Sequence, residues 1–155
     1  MDGMTDGIIF DVDGTLWDST DSVAESWNLA VREHSSLDLV IDGPVLSGLF
    51  GKTMNEIADA LFYMLPEKER MELLAVCFDY ENRYLEEKPG KLYEGVFETM
   101  KALSEKYPLF IASNCQKGYI EVLLKTCGLS PFVTDHLCFG ETQAPKSVTI
   151  RTLME

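Results

Sequence analysis

The chain has 155 residues, of which 46% are hydrophobic and 25% charged, a composition typical of a globular protein that buries a core. Its formal net charge of −13 argues against nucleic acid and anionic membranes as partners, because both reward basic patches. The N-terminus lacks a basic region followed by an apolar one, and no apolar run approaches the roughly 20 residues of a membrane span. The sequence therefore predicts neither a signal peptide nor a membrane protein.

The cysteine spacing predicts free thiols. No two cysteines form a Cys-x-x-Cys pair, so neither a zinc site nor a thioredoxin-like motif is indicated. Free thiols are typical of a reducing compartment, and a cytoplasmic location is the expectation. The four residues are Cys77, Cys115, Cys127 and Cys138.

The first predicted element is a short buried strand over residues 7–11, which leads into two carboxylates. Gly14 breaks the strand after Asp11 and Asp13. If the strand continues to Asp13, both carboxylates leave on one face; if it turns after Asp11, Asp13 lies on the loop that Gly14 permits. Either way two acids lie at the carboxyl end of a strand, where open α/β sheets place their ligands.

Two adjacent carboxylates suit a hard cation such as Mg²⁺, and they allow one group to attack while the other moves a proton. The alternative is a plain turn or a calcium loop, since Asp-x-Asp-Gly is common in both. A calcium loop needs further oxygen ligands and a late glutamate. Here Leu16 and Trp17 follow the motif, and no glutamate lies at the twelfth loop position.

Residues 10–19 read Phe-Asp-Val-Asp-Gly-Thr-Leu-Trp-Asp-Ser. They resemble the first motif of the haloacid dehalogenase-like hydrolase superfamily, in its phosphoglycolate phosphatase-like branch; only Trp17 is unusual. The resemblance implies an α/β fold: a Rossmann-like parallel sheet core with an inserted α-helical cap.

A helical segment follows, with no strand pattern between about residues 20 and 86. Trp27 is predicted to pack in its core, and Thr53 and Pro66 are placed to begin helices. Residues 44–53, which contain two glycines, predict a bent loop.

This helical segment resembles the cap that the superfamily inserts after its first motif. The resemblance implies a cap at 18–89 and a discontinuous core at 1–17 and 90–155. Such caps move over the active site and exclude water. The turn at Gly51 and Lys52 resembles a substrate-facing cap loop, which implies that Lys52 binds the substrate's non-reacting end; the alternative is a solvated lysine at a helix start.

A helix over residues 94–106 and a strand over 108–114 predict the next unit of a parallel sheet. Ser113 then ends a strand at the same sheet edge as Asp11. By resemblance it is the second motif, whose hydroxyl holds a phosphoryl oxygen, with Asn114 facing the substrate. The alternative is that Ser113 caps the following helix.

The following helix ends at Gly128, a third short strand is predicted around residues 137–139, and Gly140 begins a loop. Lys146 precedes the last helix. It resembles the third motif, a lysine that neutralises the attacking carboxylate and the phosphate, although many members have Lys-Pro where this chain has Pro145-Lys146.

The sequence ends at Glu155 before any match to the family's acidic fourth motif. We therefore expect a core that is incomplete at its C-terminus. The apolar edge of the first strand would then be exposed, which favours a covering partner such as a second copy in a dimer.

The resemblance implies Mg²⁺-dependent hydrolysis of a small phosphorylated metabolite through an aspartyl-phosphate. Asp11 would attack phosphorus, Asp13 would handle the proton, and Lys146 would neutralise charge. Asp11 and the backbone carbonyl of Asp13 would hold the metal. Asp13 argues against a dehalogenase or phosphonate hydrolase, which lack this second acid. The alternatives left open are a phosphomutase of the same superfamily and a truncated, non-catalytic fragment.

Overall fold

The computed structural model describes residues 4–155 and divides into two compact units. The first comprises the described residues up to Asp18 together with Lys91–Glu155, and the second is Ser19–Gly90. In chain order the elements are β1 (Ile8–Phe10), β2 (Trp17–Asp18), α1 (Thr20–His34), α2 (Gly43–Ser47), α3 (Met54–Leu61), α4 (Glu67–Glu87), β3 (Lys91–Leu92), α5 (Val96–Ser104), β4 (Leu109–Ser113), α6 (Tyr119–Cys127), β5 (Asp135–Cys138), α7 (Phe139–Thr142) and α8 (Lys146–Met154).

The first unit is built on a parallel sheet of three strands in the order β1-β4-β5. The middle strand β4 is almost completely buried, because its apolar run is covered on both faces, as parallel strands require. Helices α5 and α6 follow β3 and β4 in sequence, and α8 packs against β4 and β5. The predicted α/β class with a parallel sheet is therefore confirmed.

The strands bring three chain segments to one sheet edge. Ile8 to Phe10 pair with Leu109 to Ile111, and Ser113 pairs with Cys138. Since the strands are parallel, the residues that follow β1, β4 and β5 all leave at the same edge. Strand β1 is an outer strand of the described sheet. The dimer contact expected along this strand stays a prediction.

All regular elements of the second unit are helices. Its most extensive helix–helix contact is between α1 and α4, where Trp27 packs edge-on against Phe78 with ring centroids 5.8 Å apart. Trp27 is only 2% exposed, which confirms its predicted place in the core. The hydroxyl of Thr53 accepts the Glu56 amide and so caps α3, as the sequence predicted.

Three local expectations differ from the structure. The bent loop predicted over 44–53 begins with the short helix α2. The Asp42 carboxylate accepts the Val45 amide and caps that helix, and Pro44 lies in its first turn, where proline is favoured. The loop predicted at Gly140 is the single helical turn α7. A two-stranded antiparallel pair, β2 with β3, was not predicted, because two-residue strands carry no sequence period.

Among the described residues, no helix combines the length and the hydropathy needed to cross a bilayer.

Candidate active site

The carboxylate of Asp11 and the ammonium group of Lys146 form an ion pair at the carboxyl edge of the sheet. Lys146 Nζ donates to Asp11 Oδ1 over 2.7 Å, although the two residues are 135 positions apart. Asp11 follows β1 directly, and Lys146 is the first residue of α8. The two side chains are 43% and 31% exposed, so a ligand can reach both of them.

Asp13 lies on a compact turn that Gly14 makes possible. Gly14 has φ +77°, a left-handed conformation that favours glycine, and its amide donates to the Trp17 carbonyl. The Leu16 amide donates to the Val12 carbonyl, which tightens the same turn. Of the two geometries open at the sequence level, the structure has the strand ending at Phe10 and Asp13 on the loop.

The carboxylate of Asp13 is held by a side chain that sequence reasoning missed. The Tyr119 hydroxyl donates to Asp13 Oδ1 over 2.5 Å, and the indole Nε1 of Trp17 donates to the Tyr119 oxygen over 3.2 Å. The two rings meet edge-on, and both side chains are buried. The available signal for Tyr119 was that a buried tyrosine hydroxyl needs a partner.

Ser113 ends β4, the strand next to β1, and is 4% exposed. Its hydroxyl accepts the Cys115 amide at 3.3 Å. Helix α6 begins after Gly118, five residues further on, so Ser113 does not cap it. The structure thus removes the capping alternative, and Asn114 lies half-buried directly beyond Ser113.

The loop after Ser113 is packed tightly against the start of α7. The Gly140 amide donates to the Cys115 carbonyl over 3.1 Å, and a Cβ at Gly140 would lie 2.3 Å from the Lys117 nitrogen. Burial raises the pKa of the Cys115 thiol well above its usual value, and the neighbouring Cys138 thiol adds to the effect. Cys115 therefore stays a neutral thiol, so it is a poor candidate nucleophile.

The structure brings Asp11, Asp13, Ser113 and Lys146 into the first unit at a single sheet edge. Lys52 belongs to the second unit, where it is exposed in the turn before α3.

The donor set at this edge fits a hard divalent cation. Asp11 can supply a carboxylate oxygen and Asp13 its backbone carbonyl oxygen, and oxygen atoms are the ligands that Mg²⁺ prefers. An ionised carboxylate has about four acceptor positions, so the bond from Lys146 does not saturate Asp11.

The described fold and motifs match known proteins. A profile of the haloacid dehalogenase-like hydrolase family matches residues 8–155. A haloacid dehalogenase-like family protein of Streptococcus pneumoniae is similar in structure, with a TM-score of 0.75 and 19% identity over 96% of this chain and 68% of that one.

Two further structures are similar. A protein of Clostridium acetobutylicum described as a predicted phosphatase has a TM-score of 0.71 and 21% identity over 98% of this chain and 70% of its own. CbbY of Rhodobacter sphaeroides, solved with xylulose-1,5-bisphosphate, has a TM-score of 0.75 and 16% identity over 97% of this chain and 73% of its own. A search of curated protein sequences gave no significant match.

Proposed function

We propose that this chain, which belongs to the haloacid dehalogenase-like hydrolase family, hydrolyses a small phosphomonoester through an aspartyl-phosphate formed on Asp11. The observation that carries the proposal is the 2.7 Å ion pair of Asp11 with Lys146. This pair sets a carboxylate nucleophile beside a cation that offsets the negative charge of an approaching phosphate. Phosphoryl transfer depends mainly on such alignment and neutralisation.

In the first step an Asp11 oxygen attacks phosphorus, and the bond from phosphorus to the alcohol oxygen breaks. Asp13 gives its proton to the departing alkoxide, which leaves as the alcohol. In the second step Asp13 takes a proton from water as the water oxygen attacks phosphorus, and inorganic phosphate leaves Asp11. Both residues return to their starting states.

Ser113 and Lys146 have supporting roles in this proposal. The Ser113 hydroxyl, at the end of the strand beside β1, holds a phosphoryl oxygen, and Asn114 faces the substrate. Lys146 holds Asp11 by their ion pair and offsets charge on the transferring group. The Asp11 carboxylate and the backbone carbonyl of Asp13 would hold Mg²⁺, which when bound supplies further charge neutralisation to the phosphate.

A phosphorylated sugar or a similarly small phosphate is the proposed substrate class. CbbY, of the same fold, is described in complex with a sugar bisphosphate. We assign Lys52 to the substrate's non-reacting end on the resemblance of its turn to a cap loop.

All four cysteines are free thiols, which supports a reducing compartment such as the cytoplasm.

A panel of phosphomonoesters with Mg²⁺ tests the proposal by phosphate release. We expect turnover of at least one ester, and D11N should lower it by several orders of magnitude, because an amide cannot serve as the nucleophile. The matched control is D6N, since Asp6 is an exposed aspartate before the other end of β1. D6N should keep the wild-type rate.

Full turnover by D11N would overturn the proposed mechanism. Isomerisation of a sugar phosphate without release of phosphate would instead assign the same residues to a phosphomutase.

K52M tests the substrate-binding role of Lys52: we expect a higher KM with little change in kcat.

A further inference from the structure

A second group of ligand-type side chains lies in the first unit on residues that the proposed chemistry does not use. They are Glu121 in the first turn of α6, His136 in β5 and Glu141 in α7. One carboxylate oxygen from each glutamate and a ring nitrogen of His136 all lie within 4.8 Å of one another. Helix α6 thus meets β5 and the directly following α7 at one point.

The spacing in this group matches ligands of a metal better than a hydrogen-bonded pair. His136 Nδ1 lies 3.7 Å from Glu121 Oε1, which is too long for a hydrogen bond. Two ligands bound at zinc distances of 2.0–2.2 Å in a tetrahedral site stand about 3.4 Å apart. A small contraction would therefore place both atoms on one ion.

His136 Nδ1 is also a buried polar atom with no hydrogen-bond partner within the part of the chain that the structure describes. The side chain is 22% exposed, whereas the nitrogen itself is shielded from solvent. Leaving such an atom without a partner costs free energy, roughly 1–3 kcal/mol. A bound cation would remove that cost.

A hydrogen bond from Cys138 orients the Glu141 carboxylate. The Cys138 thiol, which is buried, donates to Glu141 Oε1 over 3.4 Å. Cys138 and His136 are two residues apart on β5, so both side chains leave the same face of the strand. Hydrogen bonds of this kind orient carboxylate ligands in metal sites.

We propose that Glu121, His136 and Glu141 form a binding site for a divalent transition-metal ion, for which Zn²⁺ is the best match. One imidazole and two carboxylates suit zinc, with the fourth position left to water. Mg²⁺ prefers oxygen donors alone, so this site and the Asp11–Asp13 pair select different metals. Occupancy would join α6, β5 and α7, and it would stabilise the first unit.

The test uses the full chain with its thiols kept reduced, titrated with Zn²⁺ alone in excess Mg²⁺. The sequence contains two histidines, His34 and His136, which provide an internal control. We expect about one zinc ion per chain by calorimetry, and we expect the ring signals of His136, not His34, to shift in nitrogen-detected NMR. Zinc should also raise the melting temperature, because the three ligands come together only in the folded state.

H136Q should weaken zinc binding by about 100-fold or more, and E141Q by at least about tenfold, because each removes a ligand. H34Q should bind zinc like the wild type, since His34 lies in the second unit. E121Q should also weaken zinc binding. Because Glu121 is half-exposed, we expect this substitution to leave the fold intact.

Equal zinc affinity in H136Q and H34Q, or His136 signals that ignore zinc, would overturn the proposal. In that case the three side chains lie close together without forming a metal site. This test is independent of phosphate turnover, so it stands or fails separately from the proposed function.

Discussion

A hydrogen bond that crosses 106 residues of sequence orients Asp13. Tyr119 donates to it, and Trp17 in turn donates to Tyr119. Tyr119 is therefore a positioning residue: it orients Asp13 and stabilises its ionised form, without a role in bond making. A hydrogen bond to a charged group is worth roughly 1.5–3 kcal/mol, enough to affect a rate strongly.

Y119F removes the donor and leaves the ring in place. We expect kcat to fall roughly tenfold. The pH profile of turnover should also move to higher pH, because the Asp13 carboxylate loses a bond that favours ionisation. The control is Y93F, which removes the hydroxyl of an exposed tyrosine. A fall in kcat with an unmoved pH profile would contradict the positioning role.

Cys77 ties stability to pH in the second unit. Burial, with a smaller contribution from Glu81, raises the pKa of its thiol from 9.0 to about 12. Between these values the unfolded chain loses the proton while the folded chain keeps it. The free energy of unfolding should therefore fall as pH rises through this window, by up to about 1.4 kcal/mol per pH unit from this group.

Urea unfolding of the wild type and C77A at several alkaline pH values measures this effect. C77A should be less stable at neutral pH, because it leaves a small cavity, but its stability should fall less steeply with pH. Parallel pH dependences in the two proteins would show that Cys77 does not contribute.

At the scale of elements, the contact between the start of α7 and the loop after Ser113 requires a residue without a side chain. A Cβ at Gly140 would lie 2.3 Å from the Lys117 nitrogen and 2.9 Å from the Gln116 carbonyl carbon. Both atoms are backbone, so the clash can be relieved only by moving one of the segments.

G140A should lower the free energy of unfolding by about 1–3 kcal/mol. It should also reduce phosphate release, because the loop that follows Ser113 is displaced. The matched control is G48A, where the added Cβ makes an ordinary 3.5 Å contact. Thermal unfolding of both variants gives the comparison, and equal stability for G140A and the wild type would refute the packing argument.

The sequence predicted the elements whose signals are local. The apolar runs of β1 and β4, the cap at Thr53 and the left-handed Gly128 are all present as expected. Helix α7 and the strands β2 and β3 escaped prediction because they are at most four residues long, too short to show a period. The bond from Tyr119 to Asp13 escaped because it depends on where α6 packs, which no local pattern encodes.

The family motifs predicted which residues meet at the sheet edge better than spacing could. Lys146 was assigned by resemblance, despite the reversed order of Pro145 and Lys146, and it lies 2.7 Å from Asp11. The roles assigned to these residues remain proposals. The Glu121–His136–Glu141 group was not predicted, since its members come from three elements with no shared motif.

At the scale of the whole molecule, charge repulsion is the dominant electrostatic feature. The chain carries 26 acidic and 13 basic residues, and a large net charge destabilises a compact state. Exposed ion pairs such as Lys68 with Glu72 offset little of this, because solvent screens them.

Salt should therefore stabilise the protein. We expect the melting temperature to rise between about 10 and 200 mM NaCl, because the Debye length falls to below about 10 Å over that range. Sodium and choline chloride should act alike if screening is the cause. A melting temperature that falls with added salt would mean that attractive pairs outweigh the repulsion.

The central claim is that Asp11 carries the phosphoryl group, and borohydride trapping during turnover tests it most directly. Reduction of an aspartyl-phosphate converts that aspartate to homoserine, which peptide mass spectrometry locates. We predict homoserine at position 11 in wild-type and D6N samples that turn over substrate. Neither protein should contain it when substrate is left out. Steady phosphate release with no homoserine at position 11, or with the product at another residue, would contradict the account.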